Sequence, residues 1–280
     1  MNTETNLDKE AWILDHFSCP SCRAEERPLR KGDLLVCPAC KTTFPQDATA
    51  MSFLTPQMRR KFGIDETANV SAHGYDENAR KILDRGGMVL DCGAGKKKVT
   101  FPNLIQCEVV DYPHVDVLAV NQALPFRDAC FDAVLSLDVL EHVDQPFDCA
   151  AEILRVLKPG GKIYCNVPFL QREHGYPHHY FGMTRMGIRR LFGDQIEVED
   201  HQVPLSGHPI WALWMMLQTY RDGLPTELRD EFHRLRVADI LDLNPVDWMR
   251  EKLVTELGEE ARWRIATTTA LLAHKRETDG

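Results

Sequence analysis

Two knuckles of the same C-x2-C spacing, Cys19-Pro20-Ser21-Cys22 and Cys37-Pro38-Ala39-Cys40, are separated by fourteen residues. Two tight turns at that spacing can bring four thiolates to the corners of a tetrahedron, which points to one structural Zn2+ ion on Cys19, Cys22, Cys37 and Cys40. The prolines fix the backbone after the first thiolate of each pair, and Lys31-Gly32-Asp33-Leu34-Leu35-Val36 reads as the hairpin joining them. So short a segment has little apolar surface, so the metal is expected to supply much of its stability. Unrelated thiols or a disulfide pair are the bland alternative. A redox role fits worse, because such motifs come singly and beside a βαβ pattern.

A different chemistry follows in Val89-Leu90-Asp91-Cys92-Gly93-Ala94-Gly95. Gly93 and Gly95 let the backbone approach a ligand at the carboxyl end of a predicted strand, where open α/β sheets bind their ligands. The turn departs from the dinucleotide fingerprint, since Lys98 stands at its last position. Asp111 lies twenty residues after Asp91, at the expected end of the second strand, where a carboxylate can accept from both hydroxyls of a ribose. A turn or cap role in Asp111-Tyr112-Pro113 is the alternative. Candidates for taking a proton from an acceptor are His142, His174, His178, His179 and Tyr180, all placed after predicted strands. Each has a surface or hydrogen-bonding role as its alternative, Glu141 reads as a brace of the following helix, and the histidine trio could hold a divalent ion with Glu173.

These groups need a scaffold. With 280 residues, 44% hydrophobic and 27% charged, the chain has room for one main domain and a small appendage. We read 1–56 as a zinc ribbon, 57–72 as a polar linker and 73–280 as the large domain, starting near His73. Strands are expected at Met88 to Cys92, Leu104 to Val110, Ala133 to Leu137 and Lys162 to Val167. Helices are expected over 75–85 and Cys149 to Leu157, with Lys158-Pro159-Gly160-Gly161 as the turn after the latter. That alternation means a parallel α/β sheet covered by helices. Five of the nine cysteines lie outside the knuckles at irregular spacing, which suits a reducing, cytoplasmic setting. The chain opens without a basic segment leading into an apolar run, and Ile210 to Leu217 is too short to span a bilayer, so no membrane association is expected. A net charge of −9 without a long basic run speaks against nucleic-acid partners.

The glycine turn, Val110-Asp111, Ala123-Leu124-Pro125-Phe126, Cys130-Phe131-Asp132-Ala133-Val134, Val139-Leu140-Glu141-His142-Val143 and Arg155-Val156-Leu157-Lys158-Pro159-Gly160-Gly161 stand in one unbroken order. That series resembles the class I S-adenosylmethionine-dependent methyltransferases over residues 73 to 170. The resemblance implies a Rossmann-like seven-stranded sheet, with Gln195 to His201 as its sixth strand, Ile265 to Lys275 as an antiparallel last strand, and a helical insertion, 207–262, between them. It implies that Asp91, Gly93 and Gly95 line the methionine part of the cofactor, that Asp111, with Tyr112 beside it, holds the ribose, and that Ser136 and Leu137 lie beside the amino group. The family usually has an aspartate four residues before Leu-Pro-Phe; Val120 stands there, so Asn121 or backbone groups are expected at the adenine. Lys97 replaces a third glycine often found after the pair. The cysteine module is similar to the small zinc-ribbon activator subunit of several methyltransferases, fused here in cis.

Taken together, the sequence reads as an S-adenosyl-L-methionine-dependent methyltransferase acting on a small-molecule or glycan acceptor. An RNA methyltransferase with an amino-terminal zinc module and a non-catalytic regulatory protein of the same fold are the alternatives. Trp211, Trp214, Met215, Met216 and Leu217 share one predicted helix of the insertion and serve as core, as a lid over the acceptor, or as a homodimer face.

Overall fold

A computed structural model describes residues 8–64, 74–175, 178–242 and 244–271. Helix α1 (Lys9–Asp15) starts at Asp8, whose carboxylate accepts from the Ala11 amide. Strands β1 (Leu29–Lys31), β2 (Leu34–Val36) and β3 (Thr43–Pro45) form a small antiparallel sheet in that order. Gly32, at φ +58°, makes the tight β1–β2 turn. The two cysteine knuckles close alike. Arg23 and Lys41 both adopt φ of 62°, and their amides donate to the Cys19 and Cys37 carbonyls.

The large sheet holds β4 (Met51–Ser52), β5 (Val89–Cys92), β6 (Leu104–Glu108), β7 (Val117–Leu118), β8 (Phe131–Leu137) and β9 (Leu157–Asn166). Their order is β4-β7-β6-β5-β8-β9 and every neighbouring pair is parallel, as the alternation of the sequence implies. The innermost strand, β5, is buried at all four residues. Helix α3 (Glu77–Asp84) lays Ala79 and Leu83, with Tyr75, against Val89, Leu104 and Leu135. Helices α2 (Pro56–Phe62), α4 (Pro146–Val156) and α5 (Arg185–Phe192) complete the covering elements. The small sheet is not separate from this core: Phe17, Phe44 and Phe53 share one apolar cluster with Phe126, Phe131 and Ile153.

Several local expectations change. Strand β6 ends at Glu108, not at Val110-Asp111, because the chain turns there and the Tyr112 amide donates to the Val110 carbonyl. Lys158-Pro159-Gly160-Gly161 forms an irregularity inside β9: the register jumps from Phe131↔Leu157 to Ala133↔Lys162, with Gly160 at φ +74°. The expected sixth strand over Gln195 to His201 does not form. Gln195 ends a short 3-10 turn, and no strand follows as far as His201. Ile265 closes helix α11 instead of opening a strand, and residues 266–271 carry none; the rest of that expected strand, to Lys275, lies outside the described residues. The sixth strand of the observed sheet is β4, a two-residue edge from the exit of the cysteine module. Pro56 to Phe62, across the expected boundary between the ribbon and the polar linker, is a helix set by Thr55 as its cap and Gly63 in the left-handed conformation at its end. His73 lies outside the described residues.

Contacts divide the chain into two units. The first holds the described residues up to Phe169 and those from Gly175 to His201; the second holds Leu170–His174 and the described residues from Gln202 onward. The second is helical: α6 (Pro209–Gly223), α7 (Thr226–Arg234), α8 (Val237–Leu241), α9 (Pro245–Trp248), α10 (Lys252–Thr255) and α11 (Glu259–Ile265). Leu224, Leu228, Leu253, Leu257 and Ala261 form its core. Gly223 permits the close approach of α6 and α11, since a Cβ there would lie 2.3 Å from that of Ala261. Trp211 and Trp214 stay 49% and 51% exposed, so they are not the core of this unit. Among the described residues no helix is long and apolar enough to cross a membrane.

Candidate active site and cysteine centre

The glycine turn sits where β5 ends. Gly93 adopts φ +94° and lies so close to Val139 that a Cβ would be 2.4 Å from its Cγ2. No larger residue fits there. The Gly93 and Ala94 amides donate to the Cys107 carbonyl, which holds the turn against β6. The Gly95 amide donates at 2.9 Å to Glu108, whose other oxygen accepts from the Val109 amide at 2.7 Å. Burial pushes the Glu108 carboxyl up, against the two amides that favour its charge.

Asp91 is fully buried beneath the turn. Its Oδ2 accepts from the Tyr75 hydroxyl at 2.6 Å and stands 3.3 Å from the Lys97 ammonium, whereas Oδ1 is buried with no hydrogen-bond partner. Burial and the Asp91 charge push the Tyr75 phenol up, so Tyr75 remains a donor. Ser136 is fully buried in β8, opposite Cys165, and Leu137 ends that strand half-buried. Asn121 and Tyr112 are buried, the latter with the Lys96 ammonium 5.0 Å above its ring. Asp111 is exposed and otherwise engaged: its carboxylate accepts from the Thr49 amide at 2.7 Å and the Ala50 amide at 3.1 Å. Thus Glu108, which the sequence reading passed over, is the carboxylate at the end of the second central strand. The signal was available: it is the one acidic side chain within the apolar run from Leu104 to Val110.

The histidine cluster gathers on the turn after β8. His142 Nδ1 lies 2.6 Å from the His178 carbonyl, the His142 and His179 rings are 5.6 Å apart, and the His178 and Tyr180 rings 5.3 Å. The Tyr180 amide donates to the Glu141 carbonyl, and Gly175, at φ +86°, backs directly onto the His142 ring. His174 belongs to the second unit, where its Nδ1 lies 3.0 Å from the Arg172 carbonyl. Glu141, read from sequence as a brace, is fully buried with both carboxylate oxygens lacking hydrogen-bond partners, and burial pushes it up to about 8. It is therefore a neutral acid near neutral pH, 3.6 Å from His142 Nε2.

All four knuckle sulfurs lie within 4.8 Å of one another, and the pairs Cys19–Cys40 and Cys22–Cys37 are 3.7 Å apart. Four thiolates at about 2.3 Å from a zinc ion stand about 3.8 Å apart, so the donor set fits a closed tetrahedral site. Burial pushes the Cys19 thiol up to about 12, while the Thr42 hydroxyl beside the exposed Cys40 brings that thiol down to about 6.

A groove of about 840 Å³ beside this centre is lined by Ser21, Thr42, Gln57, Arg60 and Gln122 together with the apolar Met58, Phe62, Val120 and Ala123.

Residues 90–165 match the methyltransferase domain family. This stretch is similar to a methyltransferase domain. It is also 40% identical over 82 residues to an uncharacterized methyltransferase of Mycobacterium tuberculosis (strain ATCC 25177 / H37Ra), covering 28% of this chain and 32% of that protein. An uncharacterized methyltransferase of Mycobacterium leprae (strain Br4923) is 42% identical over 78 residues, or 26% of this chain and 29% of the relative. The chain thus matches about a third of the length of these curated relatives. Among solved structures, the cyclase SpnF is similar over 72% of this chain and 85% of its own, at 18% identity and a TM-score of 0.37. The matched stretch contains the glycine turn, Glu108 and the Glu141-His142 pair.

Proposed function

We propose that the chain is an S-adenosylmethionine-dependent methyltransferase with a structural zinc centre, acting on a small molecule or glycan. The observation that carries this reading is the glycine turn with Glu108 folded back on the Gly95 amide and Asp91 buried beneath it. The buried, unpartnered Asp91 Oδ1 and the absence of side chains at Gly93 and Gly95 fit the amino-acid end of such a cofactor. Gly93 and Gly95 would let the backbone approach it, and Glu108, in place of Asp111, would hold the ribose hydroxyls through charge-assisted hydrogen bonds. Asn121 remains the candidate near the adenine, Tyr112 a candidate beside the ribose, and Ser136 and Leu137 near the amino group. When bound, the cofactor supplies an electrophilic methyl group.

The protein's task is then to orient the acceptor and take its proton. His142, His178, His179 and Tyr180 would surround the acceptor, with neutral Glu141 behind His142 able to exchange a proton with it. His174 is proposed on sequence position alone. Hydroxyl and amide groups in the groove, with Arg60, suit a hydroxylated acceptor. The exposed Trp211–Trp214 pair is read as a lid or homodimer face, and cytoplasmic residence as the setting. Calorimetric titration with S-adenosylhomocysteine tests the cofactor first. No binding at millimolar ligand removes the reading; binding, followed by mass spectrometry of cell extracts given a methyl-labelled cofactor, identifies the acceptor.

A further inference from the structure

The third position of the glycine turn, where a small residue would leave open space, carries Lys97, and its side chain folds back into the turn with only 8% of its area exposed. Its ammonium donates to the Ala94 carbonyl at 2.8 Å and the Gly93 carbonyl at 3.4 Å. It stands 3.3 Å from Asp91 Oδ2 and 5.4 Å from the centre of the Tyr75 ring. Lysines are almost never buried without such pairing. Two carbonyls, one carboxylate and one aromatic face make a receptor for a primary ammonium, and this receptor is filled from within the chain. One acceptor is left over: Asp91 Oδ1, buried and without a partner.

On the cofactor reading above, on which this step rests, the ligand arrives with an α-ammonium of its own. That group needs the same carbonyls and the same carboxylate. Glu108 nearby has its oxygens on the Gly95 and Val109 amides, so Asp91 is the carboxylate in contact with this receptor; one such contact does not balance two adjacent ammonium ions, and like charges repel strongly where water is excluded. We propose that Lys97 is the resident occupant of the α-ammonium subsite, so that a ligand with that group binds by expelling the Lys97 side chain from the glycine turn. Lys97 thereby sets the affinity for the amino-acid end of the cofactor and leaves the nucleoside end untouched. The lysine is also a conformational reporter: buried in the free protein, exposed in the complex.

Two ligands separate the ends. S-adenosylhomocysteine carries the α-ammonium; 5′-methylthioadenosine has the nucleoside and no amino-acid end. Lys97→Met removes the internal cation while keeping an unbranched side chain, and it should bind S-adenosylhomocysteine at least about tenfold more tightly than the wild type, with 5′-methylthioadenosine changing less than about threefold. In the wild-type protein, which does not depend on the variant folding, an amine-acylating reagent read by mass spectrometry should modify Lys97 far more slowly than Lys98. Saturating S-adenosylhomocysteine should raise the Lys97 rate. If Lys97 stays protected in the complex, or the Met variant gains nothing for S-adenosylhomocysteine over 5′-methylthioadenosine, Lys97 is a brace of the turn and the proposal is overturned while the cofactor reading stands. If neither ligand binds either protein, the cofactor reading fails and takes the proposal with it.

Discussion

Arg23, directly after the first cysteine knuckle, and Glu152 in α4 stand 129 residues apart and meet through two nitrogen–oxygen contacts of 2.9 and 2.7 Å. Glu152 is nearly buried and also accepts from Arg155 and from the Leu124 amide. Arg155 in turn donates to the Phe126 carbonyl. One carboxylate thus ties the cysteine module to the Leu124-Pro125-Phe126 loop of the large sheet's unit. The Ser18 amide reaches the Pro125 carbonyl beside it, and Phe17 bridges to Phe126.

Removing that carboxylate takes away the nearly buried acceptor shared by Arg23, Arg155 and the Leu124 amide. Glu152→Ala is expected to cost about 3 kcal/mol of stability. Arg23→Ala should cost less, because 44% of its side chain is already in water. Burial raises the Glu152 pKa, but Arg155 and Arg23 outweigh it and hold the group below its ordinary value of 4.5. Its contribution is therefore present above that value and lost as pH falls below it. Urea unfolding at pH 7 and pH 3.5 checks both statements; a Glu152 variant as stable as the wild type at pH 7 would show the network to be neutral.

Glu141 has the opposite sign. Its folded pKa is raised to about 8 by burial, so the folded state holds a proton that the unfolded state gives up above about 4.5. The stability it contributes is full below 4.5 and declines as pH rises toward 8, by at most a few kcal/mol. Glu141→Gln keeps the shape without the ionisation and should flatten the decline. Denaturation midpoints at pH 5, 6.5 and 8 for both proteins measure it, and equal slopes would mean that Glu141 is charged and solvated.

The metal prediction follows from the shared core. Because Phe17, Phe44 and Phe53 pack with Phe126 and Phe131, loss of the cysteine centre should loosen the sheet as well as the knuckles. Purified protein should contain about one equivalent of zinc. Cys37→Ser should lose it and lower the thermal midpoint of the single main transition. A chelator-treated protein that releases zinc yet melts as before would show that the module is energetically independent.

How much of this was legible in the sequence depends on the range of the interaction. The cysteine spacing is local, and so is the β5 strand with its glycine turn; both are found where expected. Strand β4 has two residues, too few for any periodicity, and exists only because Val117 and Leu118 present a free edge. Lys97 was visible only as a replaced glycine, since its burial depends on Asp91 six residues earlier and on Tyr75 from another element. Glu141 reads as a brace because nothing local reveals that its carboxylate is buried without a hydrogen bond. The expected strand at Gln195 to His201 rested on family order, and only Ile196 and Val198 among its seven residues are apolar.

The assignment of the ribose carboxylate shows the same difficulty at one site and yields the sharpest test. Asp111 was chosen because Val109 and Val110 extend the apolar run and so move the expected strand end by three residues. In the folded chain Asp111 spends its carboxylate on the Thr49 and Ala50 amides, at the start of the edge strand, while Glu108 faces the Gly95 amide. Glu108→Ala should therefore weaken S-adenosylhomocysteine binding by on the order of 2 to 4 kcal/mol, the worth of two charge-assisted hydrogen bonds. Asp111→Ala should leave affinity within about twofold and lower stability by on the order of 1 to 2 kcal/mol, since two amides lose their acceptor at a partly exposed site. Calorimetry and thermal melting on both variants separate the roles. If Asp111→Ala abolishes binding with an unchanged melt while Glu108→Ala does neither, the ribose belongs to Asp111 and the Gly95–Glu108 contact is a turn lock.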